Sequence, residues 1–145
     1  MHIALIANDT RKELMIQFCI AYCGILAKHQ LCSTKTTGRL ITESTGLDIE
    51  LVLPGRQGGV QQISSRVNFN EIDAVIYFHD AADEFDMNDN ALIRNCDHNN
   101  VPIATNLATA EIVITAIERG DLDWRNLVNP YSEFNKKHQN SEINQ

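Results

Sequence analysis

Five short apolar runs recur along the chain, and each is followed by a segment with helical spacing. The runs are "HIALIA" (His2–Ala7), "QLCST" (Gln30–Thr34), "DIELVLP" (Asp48–Pro54), "IDAVIYFHD" (Ile72–Asp80) and "VPIATN" (Val101–Asn106). Their apolar character is continuous rather than alternating, which predicts strands covered on both faces. Strands of that kind separated by helices predict a parallel sheet in an α/β fold. The expected architecture is a single-domain three-layer sandwich, with a five-stranded parallel sheet between helices.

Local signals place the helices. Asp9 or Thr10 opens one that runs to about Lys28, with Leu14, Phe18, Ala21, Tyr22 and Ile25 on one face. Thr36 or Thr37 opens a second, which Gly46 ends. A third starts near Val60, a fourth spans about Asp89–Asn99, and Ala108–Arg119 is closed by Gly120. Beyond Trp124 the chain turns polar, so residues 131–145 are expected as a tail, disordered from about Gln139.

Composition excludes several functions. The net charge is −7 and no basic stripe occurs, which argues against nucleic-acid binding. No apolar run approaches the length of a membrane span. "MHIALIAND" lacks a basic leader and a small-residue cleavage site, so a cytoplasmic location is expected. Cys19, Cys23, Cys32 and Cys96 form no zinc or CxxC spacing and read as reduced thiols, with Cys19 and Cys23 on one helix face. No metal site is expected.

In parallel α/β sheets, ligands bind outside the carboxyl ends of the strands. The loops there are polar. The first holds Asn8, Asp9, Thr10 and Lys12; the second is "TKTTG", Thr34–Gly38; the third lies within "LPGRQGGVQQISSR", Leu53–Arg66. Hydroxyls, free backbone N–H groups, a helix N-terminus and a lysine suit a phosphate monoester. Each loop alone also reads as a helix cap or a turn; two on the same edge favour a small anion. Neither GxxxxGK[ST] nor a GxGxxG after the first strand occurs, which removes the usual nucleotide and dinucleotide sites.

The ordered set "IALIAND…K", "TKTTGRLI", "LPGRQGGVQQI", "DAVIYFHD" and "VPIATNLATAE" resembles methylglyoxal synthase over about Ile3–Glu111. The resemblance implies that residues 1–130 form a methylglyoxal synthase-like domain, a fold shared with the regulatory domain of carbamoyl phosphate synthetase and with IMP cyclohydrolase. It implies conversion of dihydroxyacetone phosphate to methylglyoxal and phosphate, with no metal or organic cofactor, in a homohexamer. Carried over by position, Asp9 and Lys12 lie near the substrate. Thr34, Thr36 and Thr37 form the phosphate loop, with Lys35 in place of a glycine. Gly55, Gly58 and Gly59 form the glycine loop, and Asp80 ends the fourth strand. On these matches Asp9 and Asp80 are the candidate catalytic residues. Asn8, Lys12, Thr34, Thr36, Thr37, Gly55, Arg56, Gly58 and Gly59 are the candidate substrate and phosphate contacts.

The pattern also departs from the family. By resemblance, the residue after the paired glycines is the Asp that removes the substrate proton; here it is Val60. Asn8 stands where the family has His, and Pro54 where it has a phosphate-holding Ser. Phe85 and Asn88 fall at a His and an Asp of the fourth loop, and His138, beside Lys136 and Lys137, at a C-terminal Arg. A side chain without a lone pair accepts no proton, and a positioned base supplies roughly 10²–10⁴-fold. Weak or absent turnover is therefore expected. Arg56 adds a charge-assisted donor near Lys12 and Lys35, or simply faces solvent. His79 reads equally as a site residue or a packed one. Asp83, Glu84, Asp86 and Asp89 read as a solvated acidic loop, in which a displaced carboxylate base is the less favoured alternative. Three functions follow: a lyase of this type, a non-catalytic sensor of a phosphorylated metabolite, or a structural subunit.

Overall fold

A computed structural model describes residues 1–143 of the chain. The strands are β1 (His2–Ala7), β2 (Gln30–Thr34), β3 (Glu50–Val52), β4 (Ala74–Phe78) and β5 (Ile103–Ala104). They form one parallel sheet in the order β3-β2-β1-β4-β5. The chain builds outward from β1 to β3, then crosses back to β4. The order therefore reverses between β1 and β4, and a crevice opens there at the carboxyl ends.

The helices are α1 (Lys12–Ala21), α2 (Cys23–Leu26), α3 (Lys35–Thr45), α4 (Gly59–Asn68), α5 (Met87–His98), α6 (Leu107–Arg119) and α7 (Glu133–Ile143). Alternate residues of β1 serve opposite faces, as a pleated strand demands. Ile3, Leu5 and Ala7 pack with Met15 and Phe18 of α1, Ile41 of α3 and Ile114 of α6. Ala4 and Ile6 pack with Ile63 and Val67 of α4 and Leu92 and Cys96 of α5. The sheet is thus covered on both faces, as its continuous apolar strands predict.

Several local expectations shift. The first helix breaks at Tyr22, whose backbone leaves the helical region at ψ 21°. Met15, Phe18 and Cys19 carry its buried face and Ala21 is exposed; Cys23, half-buried, packs at the margin of the same core as Cys19, with Leu14, Tyr22 and Ile25. Burial pushes the Cys19, Cys32 and Cys96 thiols up to about 12, where they are inert. The third and fifth strands are shorter than their apolar runs because each is an edge with one neighbour.

The segment beyond Trp124 is the largest difference. Arg125 is fully buried, bonded to Asp73 at 3.0 Å and to carbonyls of Asn99, Asn100 and Ile72. The polar segment after residue 130 contains α7, Glu133–Ile143. Ser132 Oγ accepts from Asn135 N at the helix start, and the Asn135 amide donates to the Asn126, Leu127 and Asn129 carbonyls, which ties the helix to the segment before it. The last two residues of the expected tail lie outside the described part. No described helix is long and apolar enough to cross a membrane.

Candidate active site at the carboxyl edge of the sheet

A cleft of about 930 Å³ opens at the β1/β4 reversal. Its floor is Ile6, Ala7 and Tyr77 at the strand ends. One wall is Thr34, Thr36, Pro54–Gln57 and Val60; the other is His79 and the loop leading into α5.

The first wall gathers groups whose chemistry suits an anion. The helix α3 starts directly after Thr34, and no side chain caps it. The helix α4 starts at Gly59, and it too lacks a side-chain cap. Two uncapped helix N-termini concentrate free N–H groups and positive dipole ends. The two loops abut: a Cβ on Gly55 would lie 3.9 Å from both Thr34 Cγ2 and Val60 Cγ2. Gly58 sits at φ 101°, in the left-handed region, and a Cβ on Gly59 would meet the Leu53 carbonyl oxygen at 2.0 Å. Only glycine fits this approach of helix to strand end. At the cleft entrance, Lys12 Nζ lies 3.0 Å from Asp9 Oδ1 and donates to Ala7 O at 3.2 Å. Arg56 lies 3.4 Å from Asp9 Oδ2, its side chain 93% exposed and free to swing onto a ligand. The Lys12 ammonium holds the Asp9 carboxyl below the usual carboxylate range.

The opposite wall carries carboxylates in different states. Asp83, Glu84 and Asp86 are exposed, as a solvated loop requires. Asp89 is only 6% exposed and departs from that expectation. It stands in the first turn of α5 and forms a capping box with Asp86: Asp89 N donates to Asp86 Oδ1, and Asp86 N donates to Asp89 Oδ2. The box fixes the carboxylate and turns it inward, where Tyr77 OH donates to Asp89 Oδ1 at 2.9 Å. Asn8 Nδ2 donates in turn to the Tyr77 oxygen at 3.2 Å, and Asn8 Oδ1 accepts from Asp80 N at 2.7 Å. Burial pushes the Asp89 carboxyl up from its ordinary value, against the pull of the Tyr77 bond.

The cleft brings together Asn8, Asp9, Lys12, Thr34, Thr36, Gly55, Arg56 and Val60 from the sequence-based set. Thr37 does not line it: the residue is buried beneath, and its hydroxyl has no protein partner. Gly58 and Gly59 shape the loop from behind. Asp80 also stands outside the lining, its carboxylate accepting from Thr10 Oγ1 at 2.6 Å and Ala82 N at 2.9 Å. The Thr10 bond holds its carboxyl below the usual range. His79 does line the cleft, with its ring against Phe85 at 4.0 Å between centroids. Asn88, also in the lining, accepts from Gln61 at 2.9 Å. Lys35 is exposed and lies outside the lining, and Lys136 borders a different cavity, of about 690 Å³, near the opposite strand ends. Tyr77 is not singled out by the sequence motifs, and Asp89 is named there only as one of four acids in a solvated loop; the capping pair Asp86/Asp89 is the local signal that separates it from the others. Among the described residues, no three His, Cys, Asp or Glu side chains gather as metal ligands would.

Fold and cleft together define a single-sheet α/β protein with a polar cleft at its topological reversal. Residues 15–105 match the model of the MGS-like domain. Methylglyoxal synthase of Caldicellulosiruptor saccharolyticus is 55% identical over 138 residues, covering 94% of this chain and 98% of that protein. The Listeria welshimeri methylglyoxal synthase is 49% identical over 129 residues, covering 88% and 96%. The crystal structure of methylglyoxal synthase from Elizabethkingia anophelis superposes with a TM-score of 0.72 at 36% identity, over 78% of this chain and 76% of that one. The chain belongs to the methylglyoxal synthase family.

Proposed function

We propose that the cleft binds dihydroxyacetone phosphate and releases methylglyoxal and phosphate from it, more slowly than relatives with a carboxylate at position 60. The observation that carries this reading is the polarity of the cleft. Two uncapped helix N-termini, Thr34, Thr36, Lys12 and Arg56 gather on one wall, and a buried carboxylate, Asp89, stands on the other. A phosphate fits the first wall, and the carbonyl and hydroxymethyl carbons then point towards the second. The low rate follows from Val60, an apolar side chain 8% exposed at the position that carries the base by resemblance.

The test is methylglyoxal formation from dihydroxyacetone phosphate by the wild type and Val60→Asp. Slow release by the wild type, raised at least about tenfold by Val60→Asp, is expected. No product from the wild type overturns the reading, whether or not Val60→Asp is active. A thermal shift with inorganic phosphate tests the anion wall separately, because a ligand of the native state alone raises apparent stability.

The protein also works as a cytoplasmic homo-oligomer in this reading, a hexamer by resemblance. Support comes from large apolar side chains left in solvent, among them Met87, Ile112, Phe69 and Leu127. A monomer mass in light scattering at micromolar concentration would overturn that part.

A further inference from the structure

Five carboxylate side chains line the cleft: Asp9, Asp83, Glu84, Asp86 and Asp89. They are not equivalent as proton acceptors. Asp9 is held by two cations, Lys12 at 3.0 Å and Arg56 at 3.4 Å, and its side chain is 71% exposed. Both effects weaken a base. Asp83, Glu84 and Asp86 stand in solvent, where carboxylates are weak bases, and Asp86 Oδ1 is already taken up by Asp89 N. Asp89 alone among the five is buried, and its two oxygens are oriented by uncharged donors, Oδ2 by Asp86 N and Oδ1 by Tyr77 OH. Each oxygen keeps a free lone pair after those bonds.

The bonding direction is set by neighbours. Asn8 Oδ1 is committed to Asp80 N, so its amide must donate to the Tyr77 oxygen, and the single Tyr77 proton must go to Asp89. The Tyr77 bond thus favours the deprotonated, accepting form of the carboxylate. Burial makes that form costly and raises the proton affinity of the group. Val60 lies on α4 and Asp89 on α5, neighbouring helices on the same face of the sheet, and both border the same cleft.

We propose that Asp89 is the proton acceptor of this chain, acting from α5 in place of a carboxylate at position 60. The proposal rests on the lyase reading above. Asp89 removes a proton from the hydroxymethyl carbon beside the substrate carbonyl, and the C–H electron pair becomes the C=C bond of an enediolate. Collapse of the enediolate turns the hydroxymethyl carbon into an aldehyde, its hydroxyl proton passing to the enediolate oxygen, and breaks the carbon–oxygen bond to phosphate, which leaves with the electron pair of that bond. The resulting enol takes a proton at carbon to give methylglyoxal. The proton taken by Asp89 is returned, and no oxidant, reductant or co-reactant enters. Tyr77 and Asn8 are positioning residues.

The experiment compares wild type, Asp89→Asn and Val60→Asp/Asp89→Asn. It follows phosphate release from dihydroxyacetone phosphate and deuterium incorporation at the hydroxymethyl carbon in D2O. Thermal shift with inorganic phosphate reports folding and anion binding; Asp89→Ser replaces the Asn variant if that one unfolds. Asp89→Asn is expected to lose roughly 10²-fold or more in both reactions while keeping the phosphate shift. Restoration in the double variant is expected, because a carboxylate at position 60 bypasses the missing one; a purely structural role for Asp89 would give no such rescue. Wild-type rates in Asp89→Asn overturn the assignment and leave the lyase reading standing. Deuterium incorporation without phosphate release in the wild type, lost in Asp89→Asn, supports Asp89 and overturns the lyase reading. Neither reaction in the wild type overturns both.

Discussion

The Tyr77 hydroxyl donates to Asp89 Oδ1 at 2.9 Å, joining the end of a central strand to the first turn of α5. Tyr77 is 4% exposed and Asp89 6% exposed, so water replaces neither partner easily. Replacement of Tyr77 by Phe leaves a buried carboxylate with one oxygen unpaired. Tyr77→Phe should cost ~2 kcal/mol at neutral pH, by analogy with buried hydrogen bonds to charged groups. The cost should shrink on acidification, because the lost bond favours the ionised carboxylate. Urea denaturation across pH 5–8 measures both.

Arg125 and Asp73 form an ion pair at 3.0 Å in which neither side chain is more than 2% exposed. Asp73 also accepts from His2 N and from the Asn129 amide, so the pair ties the start of β1 to the segment after α6. Removal of one buried partner leaves the other charge uncompensated. Arg125→Met should destabilise by about 3–5 kcal/mol, and Asp73→Asn, which keeps an acceptor, by less. Equilibrium denaturation of the two variants checks the order.

Two glycines should respond in opposite directions. A Cβ on Gly59 would sit 2.0 Å from the Leu53 carbonyl oxygen, so α4 must move to admit it. Gly59→Ala should cost about 1–3 kcal/mol and weaken the phosphate-induced thermal shift. Gly24 lies exposed in α2 with nothing within 4 Å of a Cβ. Gly24→Ala should stabilise by about 0.5–1 kcal/mol, since alanine loses less entropy in a helix. Thermal unfolding of both variants is the measurement.

His2 is 7% exposed, and its Nε2 has no protein partner. Burial pushes its pKa below the ordinary histidine value, and His29 shifts the same way for the same reason. The unfolded chain therefore binds more protons than the native one as pH falls through about 6.5. Stability is fully present above that pH and declines below it, down to the depressed native pKa. Asp89, with its raised proton affinity, works in the opposite sense, so variants are compared rather than absolute slopes. His2→Gln should flatten the fall in Tm between pH 7 and 5; an unchanged slope would show that His2 does not carry it.

Much of the fold was legible because its signals are local. The β1 and β2 runs match the observed strands end to end, and Gly46 and Gly120 terminate helices in the left-handed conformation, as their chemistry predicts. The glycine loop was legible for the same reason: Gly58 and Gly59 mark a backbone that no other residue fits. Pairing set the shorter edge strands. Neighbouring strands, not the apolar run, decide where β3 and β5 end.

The roles of the acids and of the buried Arg125 were not legible. Asp83, Glu84, Asp86 and Asp89 look alike in a row of residues, yet only Asp89 is buried, because the capping box turns it towards Tyr77. The bond from Asn8 to Tyr77 spans 69 positions, and that from Arg125 to Asp73 spans 52. Periodicity and turn chemistry act over a few residues and determine strands, helices and caps. Burial of a charge depends on which distant segments the sheet order brings beside it. The side-by-side placement of β1 and β4 turns one acidic residue into a candidate base, and packing against Asp73 turns one residue of a polar segment into part of the core.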